Sequence, residues 1–134
     1  MALNTLTASD RILIVDDQPA IRRLLRATLD GGFTVEEAED AASALQAIQD
    51  HRPSIVLLDV MMPGGMDGLQ VLSEIKQAPG TRNIQVAILS ARGQVADQEE
   101  ARRRGADAYF IKPFSPMQVL AWVSTRPALR DTCH

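Results

Sequence analysis

The sequence predicts an α/β fold: a parallel sheet with helices packed on both faces. Short apolar, largely β-branched runs alternate five times with stretches of helical spacing. That alternation is how a chain builds parallel strands joined by crossover helices. The best of the runs are apolar at every position, as strands covered on both faces require. Finally, four of the five runs end at a side chain with chemical use: Asp16 and Asp17, Asp59, Ser90, and Lys112.

The first run, Arg11-Ile12-Leu13-Ile14-Val15, stops at two acids and reads as a buried strand. Pro19 then opens a helix carrying Ile21, Leu24, Leu25, Thr28 and Leu29, and Gly31-Gly32 ends it. Proline suits a first turn because its missing N–H is not needed there, and glycine tolerates the helix exit. Thr34-Val35-Glu36-Glu37-Ala38 is a more polar strand, expected near a sheet edge. Ala41, Ala44, Leu45, Ala47 and Ile48 mark the second helix, and Ile55-Val56-Leu57-Leu58 the third strand. Leu69, Val71, Leu72 and Ile75 mark a helix closed by Pro79-Gly80, and Val86-Ala87-Ile88-Leu89 a strand ending at Ser90. Residues 97–104 are helical by composition but have a weak apolar face. Ala108-Tyr109-Phe110-Ile111 is the fifth strand. Ser115-Pro116 reads as an N-cap with proline in the first turn, followed by Met117, Val119, Leu120, Trp122 and Val123 and a stop at Pro127.

At 134 residues the chain fits one domain with a real core. The folded unit is expected at residues 10–126, with 1–9 as an N-terminal tail and 127–134 as a C-terminal tail or the start of a linker. The net charge of -3 gives no basic field for direct nucleic-acid binding. The lone cysteine, Cys133, cannot form an internal disulfide and reads as an incidental thiol. The first residues lack the basic and apolar segments of a signal peptide, and the strongest apolar run is too short for a bilayer. No membrane association and a cytoplasmic location are expected.

In an open parallel sheet ligands bind beyond the carboxyl ends of the strands. There the topology should gather Asp16, Asp17, Asp59, Ser90 and Lys112. Close carboxylates repel one another unless a cation sits among them. The donors are hard oxygens, and neither His51 nor His134 falls at a strand end, so Mg2+, or Mn2+ in its place, fits better than zinc. Both histidines read as solvated surface. A divalent cation with a lysine is equipped to neutralise a phosphoryl group. Asp59 follows the most apolar strand and is the expected nucleophile, since carboxylates can form acyl phosphates. Ser90 can donate a hydrogen bond to the new phosphate. Taken singly, each of these residues is equally readable as a helix cap or a solvated charge; the joint placement carries the reading.

These residues resemble the receiver domains of two-component response regulators, over roughly residues 11–125. The resemblance rests on Ile14-Val15-Asp16-Asp17, Leu57-Leu58-Asp59, Met62-Pro63 with Met66-Asp67-Gly68, Leu89-Ser90-Ala91, Gly105-Ala106-Asp107-Ala108-Tyr109 and Lys112-Pro113-Phe114. It implies a flavodoxin-like, doubly wound five-stranded parallel sheet in the order 2-1-3-4-5. It implies Asp59 as phosphoacceptor, with Asp17, Asp59 and the Met61 backbone carbonyl holding Mg2+ and Asp16 reaching it through water. It further implies Ser90 and Lys112 as phosphate-binding groups, Ser90 and Tyr109 as the switch pair, and a cis Lys112-Pro113 bond. The donor would be a sensor histidine kinase or a histidine phosphotransfer protein. Such a domain catalyses only its own phosphorylation and dephosphorylation, and is a monomer or a phosphorylation-dependent dimer.

Three departures from the family pattern carry expectations. The stretch Met62-Pro63-Gly64-Gly65-Met66-Asp67-Gly68 is one residue longer than the usual loop, and its glycines allow a bulge beside Asp59. Ser90 replaces a commoner threonine, and its freer χ1 should leave the hydroxyl less pre-positioned. Met61 and Arg92 stand at the two positions expected to tune kinetics. An apolar Met61 cannot orient water and Arg92 can shield the phosphate, so the phosphorylated state should last hours rather than seconds.

Phosphorylation adds about two negative charges locally, and it switches a protein only by biasing an element with two packings. The expected element is the face made by the fourth helix, fifth strand and fifth helix, which would control an output partner. Arg102-Arg103-Arg104 on the fourth helix reads as a solvated face, or less readily as a dock for an acidic partner.

Alternatives were a receiver that has lost phosphorylation and only docks partners, an aspartyl-phosphate phosphatase, and a flavin-nucleotide binder. The phosphatase needs an acid two residues after its nucleophile, where this chain has Met61 or Gln18. The flavin binder needs a hydroxyl- and glycine-rich phosphate loop after strand one, where this chain has Asp16-Asp17-Gln18-Pro19. No output domain is legible, so the chain reads either as a single-domain regulator or as a fragment that stops at a linker.

Overall fold

A computed structural model describes residues 10–61 and 67–126. The ten elements run β1 Arg11–Val15, α1 Pro19–Leu29, β2 Thr34–Ala38, α2 Ala41–His51, β3 Ile55–Asp59, α3 Gly68–Gln77, β4 Gln85–Ser90, α4 Val95–Arg103, β5 Ala108–Ile111 and α5 Pro116–Ser124. The five strands form one parallel sheet in the order β2-β1-β3-β4-β5. This is the flavodoxin-like arrangement, and the polar strand β2 lies at an edge as expected.

Side chains alternate between the two faces of each strand, and that alternation divides the core. Ile12, Ile14, Ile55, Leu57, Ala87 and Leu89 pack under α1 and α5, against Leu25, Leu29, Val119 and Val123. Leu13, Val15, Val56, Leu58, Val86 and Ile88 face the other way, onto Ala44 and Ile48 of α2 and Val71, Leu72 and Ile75 of α3. The helices start where the sequence supplies caps. Asp40 accepts from the Ser43 amide at 2.8 Å, Asp67 from the Gln70 amide at 3.0 Å, and Ser115 from the Gln118 amide at 3.3 Å. Each satisfies a donor that a helix N-terminus otherwise leaves open.

Several boundaries and faces differ from the sequence reading. Helix α4 begins two residues earlier than expected, at Val95, and ends at Arg103. Its weak apolar face is real, since Ala101 is its one buried residue. Arg104 is not part of a solvated basic face. It pairs with Glu100 at 2.7 Å and donates to the Leu69 carbonyl and Ser73 Oγ of α3, both at 3.3 Å. The sequence pattern registers composition on one helix and misses a tether to another. Leu24, placed on the apolar face of α1, is 41 % exposed. His51 is exposed but not merely solvated, because its Nδ1 lies 3.0 Å from Glu36 Oε2. The Gly64-Gly65 bulge, the stop at Pro127, both proposed tails, Cys133 and His134 lie outside the described residues.

Candidate functional site

The site forms where strand order reverses, between the carboxyl ends of β1 and β3, the place this topology leaves a crevice. Hydrophobic packing fixes it from below, because β1 and β3 are buried along Ile12 to Val15 and Ile55 to Leu58. Asp16 and Asp17 follow β1, while Asp59 and Ser90 are the last residues of β3 and β4 and Lys112 follows β5. A cleft of about 530 Å³ opens over them, lined in part by Asp17, Gln18, Asp59, Met61 and Lys112.

Carboxylate oxygens of Asp16, Asp17 and Asp59 lie within 4.8 Å of one another. Asp16 is 0 % and Asp59 3 % exposed, so two of these charges are removed from water. Lys112 compensates. Its Nζ donates to Asp16 Oδ2 at 2.8 Å, to Gln18 Oε1 at 3.2 Å and to Asp59 Oδ1 at 3.3 Å. The Lys112-Pro113 bond is cis, as expected.

The acids are still crowded. Burial, then repulsion from Asp16, raises the Asp59 carboxyl to about 6, against the opposing charge and hydrogen bond of Lys112. Burial pulls Lys112 downward, but its hydrogen bond to Asp16 and the charges of Asp59 and Asp16 outweigh it and hold the ammonium above its ordinary range. A buried, electron-rich carboxylate beside an ammonium and two further acids suits a bound cation and an incoming phosphoryl group. The all-oxygen donor set fits Mg2+ or Mn2+.

Ser90 is fully buried, and its Oγ accepts from the Arg92 amide at 3.0 Å. That bond gives the oxygen a partner within the local turn, a feature separate from how firmly serine positions its hydroxyl relative to threonine. Tyr109 is partly exposed and its hydroxyl donates to the Arg92 carbonyl at 2.7 Å. Met61 is 54 % exposed at the rim, and Arg92 Nη2 donates to its sulfur at 3.1 Å. The Met61 amide donates to Asp59 Oδ1 at 3.4 Å.

The sequence reading missed two neighbours. Gln18 entered it only as a residue that excluded other functions, yet its side chain receives Lys112 and its amide donates to Asp16 Oδ1 at 2.9 Å. Arg22, unremarked in α1, donates Nη1 to the Asp16 carbonyl at 2.6 Å. Proximity to the Asp16-Asp17 pair was the available signal for both.

Fold and site together define a doubly wound α/β domain with an acid-and-lysine cluster at its topological switch point. The family described as response regulator receiver domain matches residues 12–124, and the chain belongs to that family. It is 41 % identical over 112 residues to the phosphate regulon transcriptional regulatory protein PhoB of Escherichia coli (strain K12), a match covering 83 % of this chain and 48 % of that protein. It is 40 % identical over 123 residues to the response regulator MprA of Mycobacterium sp. (strain KMS), covering 91 % and 51 % respectively. The chain thus spans about half the length of the curated relatives it matches. A putative response regulator from Chloroflexus aurantiacus superposes with a TM-score of 0.80 at 31 % identity, over 86 % of this chain and 94 % of the other. The chemotaxis response regulator CheY4 of Vibrio cholerae gives a TM-score of 0.78 at 28 % identity, over 86 % and 98 %. The chain is a receiver domain of the two-component response-regulator class. No helix among the described residues is long and apolar enough to cross a membrane.

Proposed function

We propose that Asp59 accepts a phosphoryl group from a phosphohistidine on a sensor kinase or phosphotransfer protein, with Mg2+ in the acidic cluster. The observation that carries this reading is the shared pocket of Asp17, Asp59 and Lys112. An Asp59 carboxylate oxygen forms the new P–O bond as the P–N bond to the donor imidazole breaks. The imidazole nitrogen keeps the electron pair and takes up a proton.

Asp17, Asp59 and the Met61 carbonyl would hold the cation directly. Both oxygens of Asp16 already have partners, Lys112 Nζ and the Gln18 amide, which supports an indirect role for that acid. When bound, the cation offsets negative charge on the phosphoryl oxygens. Lys112 swings from its acids to a phosphate oxygen, and the Ser90 hydroxyl donates to another. Since Tyr109 and the Ser90 hydroxyl are both hydrogen-bonded to the Arg92 backbone, movement at Ser90 is transmitted toward β5. That supports the α4-β5-α5 face as the surface through which an output partner is controlled. The chemistry is confined to the domain's own aspartate.

Incubation with acetyl phosphate and Mg2+, read by mass shift, tests the assignment. One phosphoryl group is expected on the intact chain, absent with EDTA and absent in Asp59→Asn. Labelling that persists in Asp59→Asn, or none in the unsubstituted protein, overturns it.

A further inference from the structure

We infer that Arg22 is a positioning residue for the proposed metal-binding turn, anchoring the backbone that presents Asp17 through the Asp16 carbonyl. The inference rests on the proposed cation site and names a residue that supports it without touching the ion or the phosphate.

The geometry starts at the end of β1. Asp16 has left the strand ladder, although its amide still donates to the Ala38 carbonyl at 3.1 Å. Its own carbonyl belongs to a residue with no exposed surface. A buried carbonyl needs a donor, and the one the structure gives it is Arg22 Nη1 at 2.6 Å. The Gln18 carbonyl is held independently of any side chain, by the backbone amides of Ile21 at 3.1 Å and Arg22 at 3.2 Å. Asp17 lies between the two anchored carbonyls. The helix start holds the Gln18 end of this segment whatever residue follows, and the Arg22 side chain holds the Asp16 end, so the guanidinium is what fixes the entry to the residue that presents its exposed carboxylate to the cleft.

The guanidinium is held off the acids themselves. Its Nε donates to Glu37 Oε1 at 3.0 Å, and Arg26 pairs with the same carboxylate from the next turn of α1. The Arg22 side chain is only 18 % exposed. Glu37 holds the guanidinium by its Nε, so Arg22 reaches the site as a directional donor to the Asp16 backbone. The planar fork allows both contacts at once, whereas a lysine ammonium can serve one of them at full geometry.

The test is Mn2+ binding to the full chain, followed by the loss of the free-ion electron paramagnetic resonance signal, with thermal unfolding of the metal-free proteins measured in parallel. R22A is expected to bind Mn2+ about 10-fold more weakly than the unsubstituted protein, as for lost support of a metal ligand. R22K is expected to fall between them. E37Q, which weakens the contact that fixes the direction of the guanidinium, is expected to weaken binding, but less than R22A does. In metal-free R22A, amide exchange at Asp17 and Gln18 is expected to accelerate, while that in β3 and β4 is unchanged. D17N separates the two layers of the argument. If the unsubstituted protein fails to bind Mn2+, or D17N binds as well as it does, the cation site is wrong. If D17N abolishes binding but R22A binds as tightly as the unsubstituted protein, the cation site stands and the role of Arg22 is overturned. Should R22A fail to fold, R22K and E37Q decide, and unchanged affinity in both rejects the inference.

Discussion

Packing has placed the Asp59 carboxylate, the proposed phosphoacceptor, where it is uncomfortable. Its folded pKa of about 6 stands above the ordinary 3.8. Between those values the native state holds the proton more tightly than the unfolded chain. Stability therefore falls as pH rises through that window, and above it the ionised group destabilises the metal-free fold by on the order of 3 kcal/mol. Asp59→Asn should accordingly raise the urea midpoint of the metal-free protein at about pH 8, with little gain at about pH 4. Equal midpoints for the two proteins at the higher pH would contradict the raised pKa. At the rim, Arg92 and Met61 touch through the guanidinium and the sulfur. Met61 lines the cleft over Asp59, so the contact ties the Arg92 guanidinium to a rim residue, and the expectation of a slowly lost phosphate turns on that pair. Arg92→Ala is expected to shorten its lifetime by about 10-fold, the size of effect a single positioned charged group commonly has. Timing phosphate loss after donor removal checks this, and a half-life under a minute in the unsubstituted protein would reject the slow-decay reading altogether.

At the scale of elements, the approach of α3 to β3 is what leaves no slack around Asp59. Gly68 opens α3, and its amide donates to the Val60 carbonyl at 2.9 Å. A Cβ there would sit 2.1 Å from the Asp59 carbonyl oxygen and 2.8 Å from Val60 Cα, both backbone atoms. Gly68→Ala must push α3 away from the end of β3, and about 3 kcal/mol of destabilisation is expected from such overpacking. Denaturant titration reads it, and an unchanged midpoint would show that the contact relaxes freely. Helix α4 is the opposite case. Ala101 is its one buried residue, and its C-cap Arg104 adds a tie to the Leu69 carbonyl and Ser73 of α3. Low burial means low local opening free energy. Amides of α4 are expected to exchange faster than those of α3, and Arg104→Ala should widen the difference. Equal protection of the two helices would remove α4 as the mobile part of the switch face.

For the molecule as a whole, stability and the proposed phosphotransfer meet in the same cluster. A ligand that binds only the folded state stabilises it by mass action. Mg2+ should raise Tm, by roughly 4 °C for each ~1 kcal/mol of linkage in a domain of this size. EDTA should reverse the rise and Asp17→Asn should abolish it. A thermal scan with and without Mg2+ is sufficient, and an identical Tm in both would count against a cation in this pocket.

The sequence by itself determined the ten elements, the edge position of β2, the burial of β1 and β3, and the identity of the five polar side chains at the strand ends. These are local quantities: residue spacing decides which face is apolar, and caps and prolines decide where helices start. It also determined the family, because the motifs around Asp16, Asp59, Ser90 and Lys112 are specific as a set. Tertiary structure decided what each polar group touches. That Gln18 receives Lys112, that Arg22 reaches back to the Asp16 carbonyl, that Arg104 is a tether and not a free charge, and that the Ser90 hydroxyl is held by the Arg92 amide are facts about directions in space. Hydrogen bonds depend on angle and distance between residues from different elements, and no periodicity along one element encodes them.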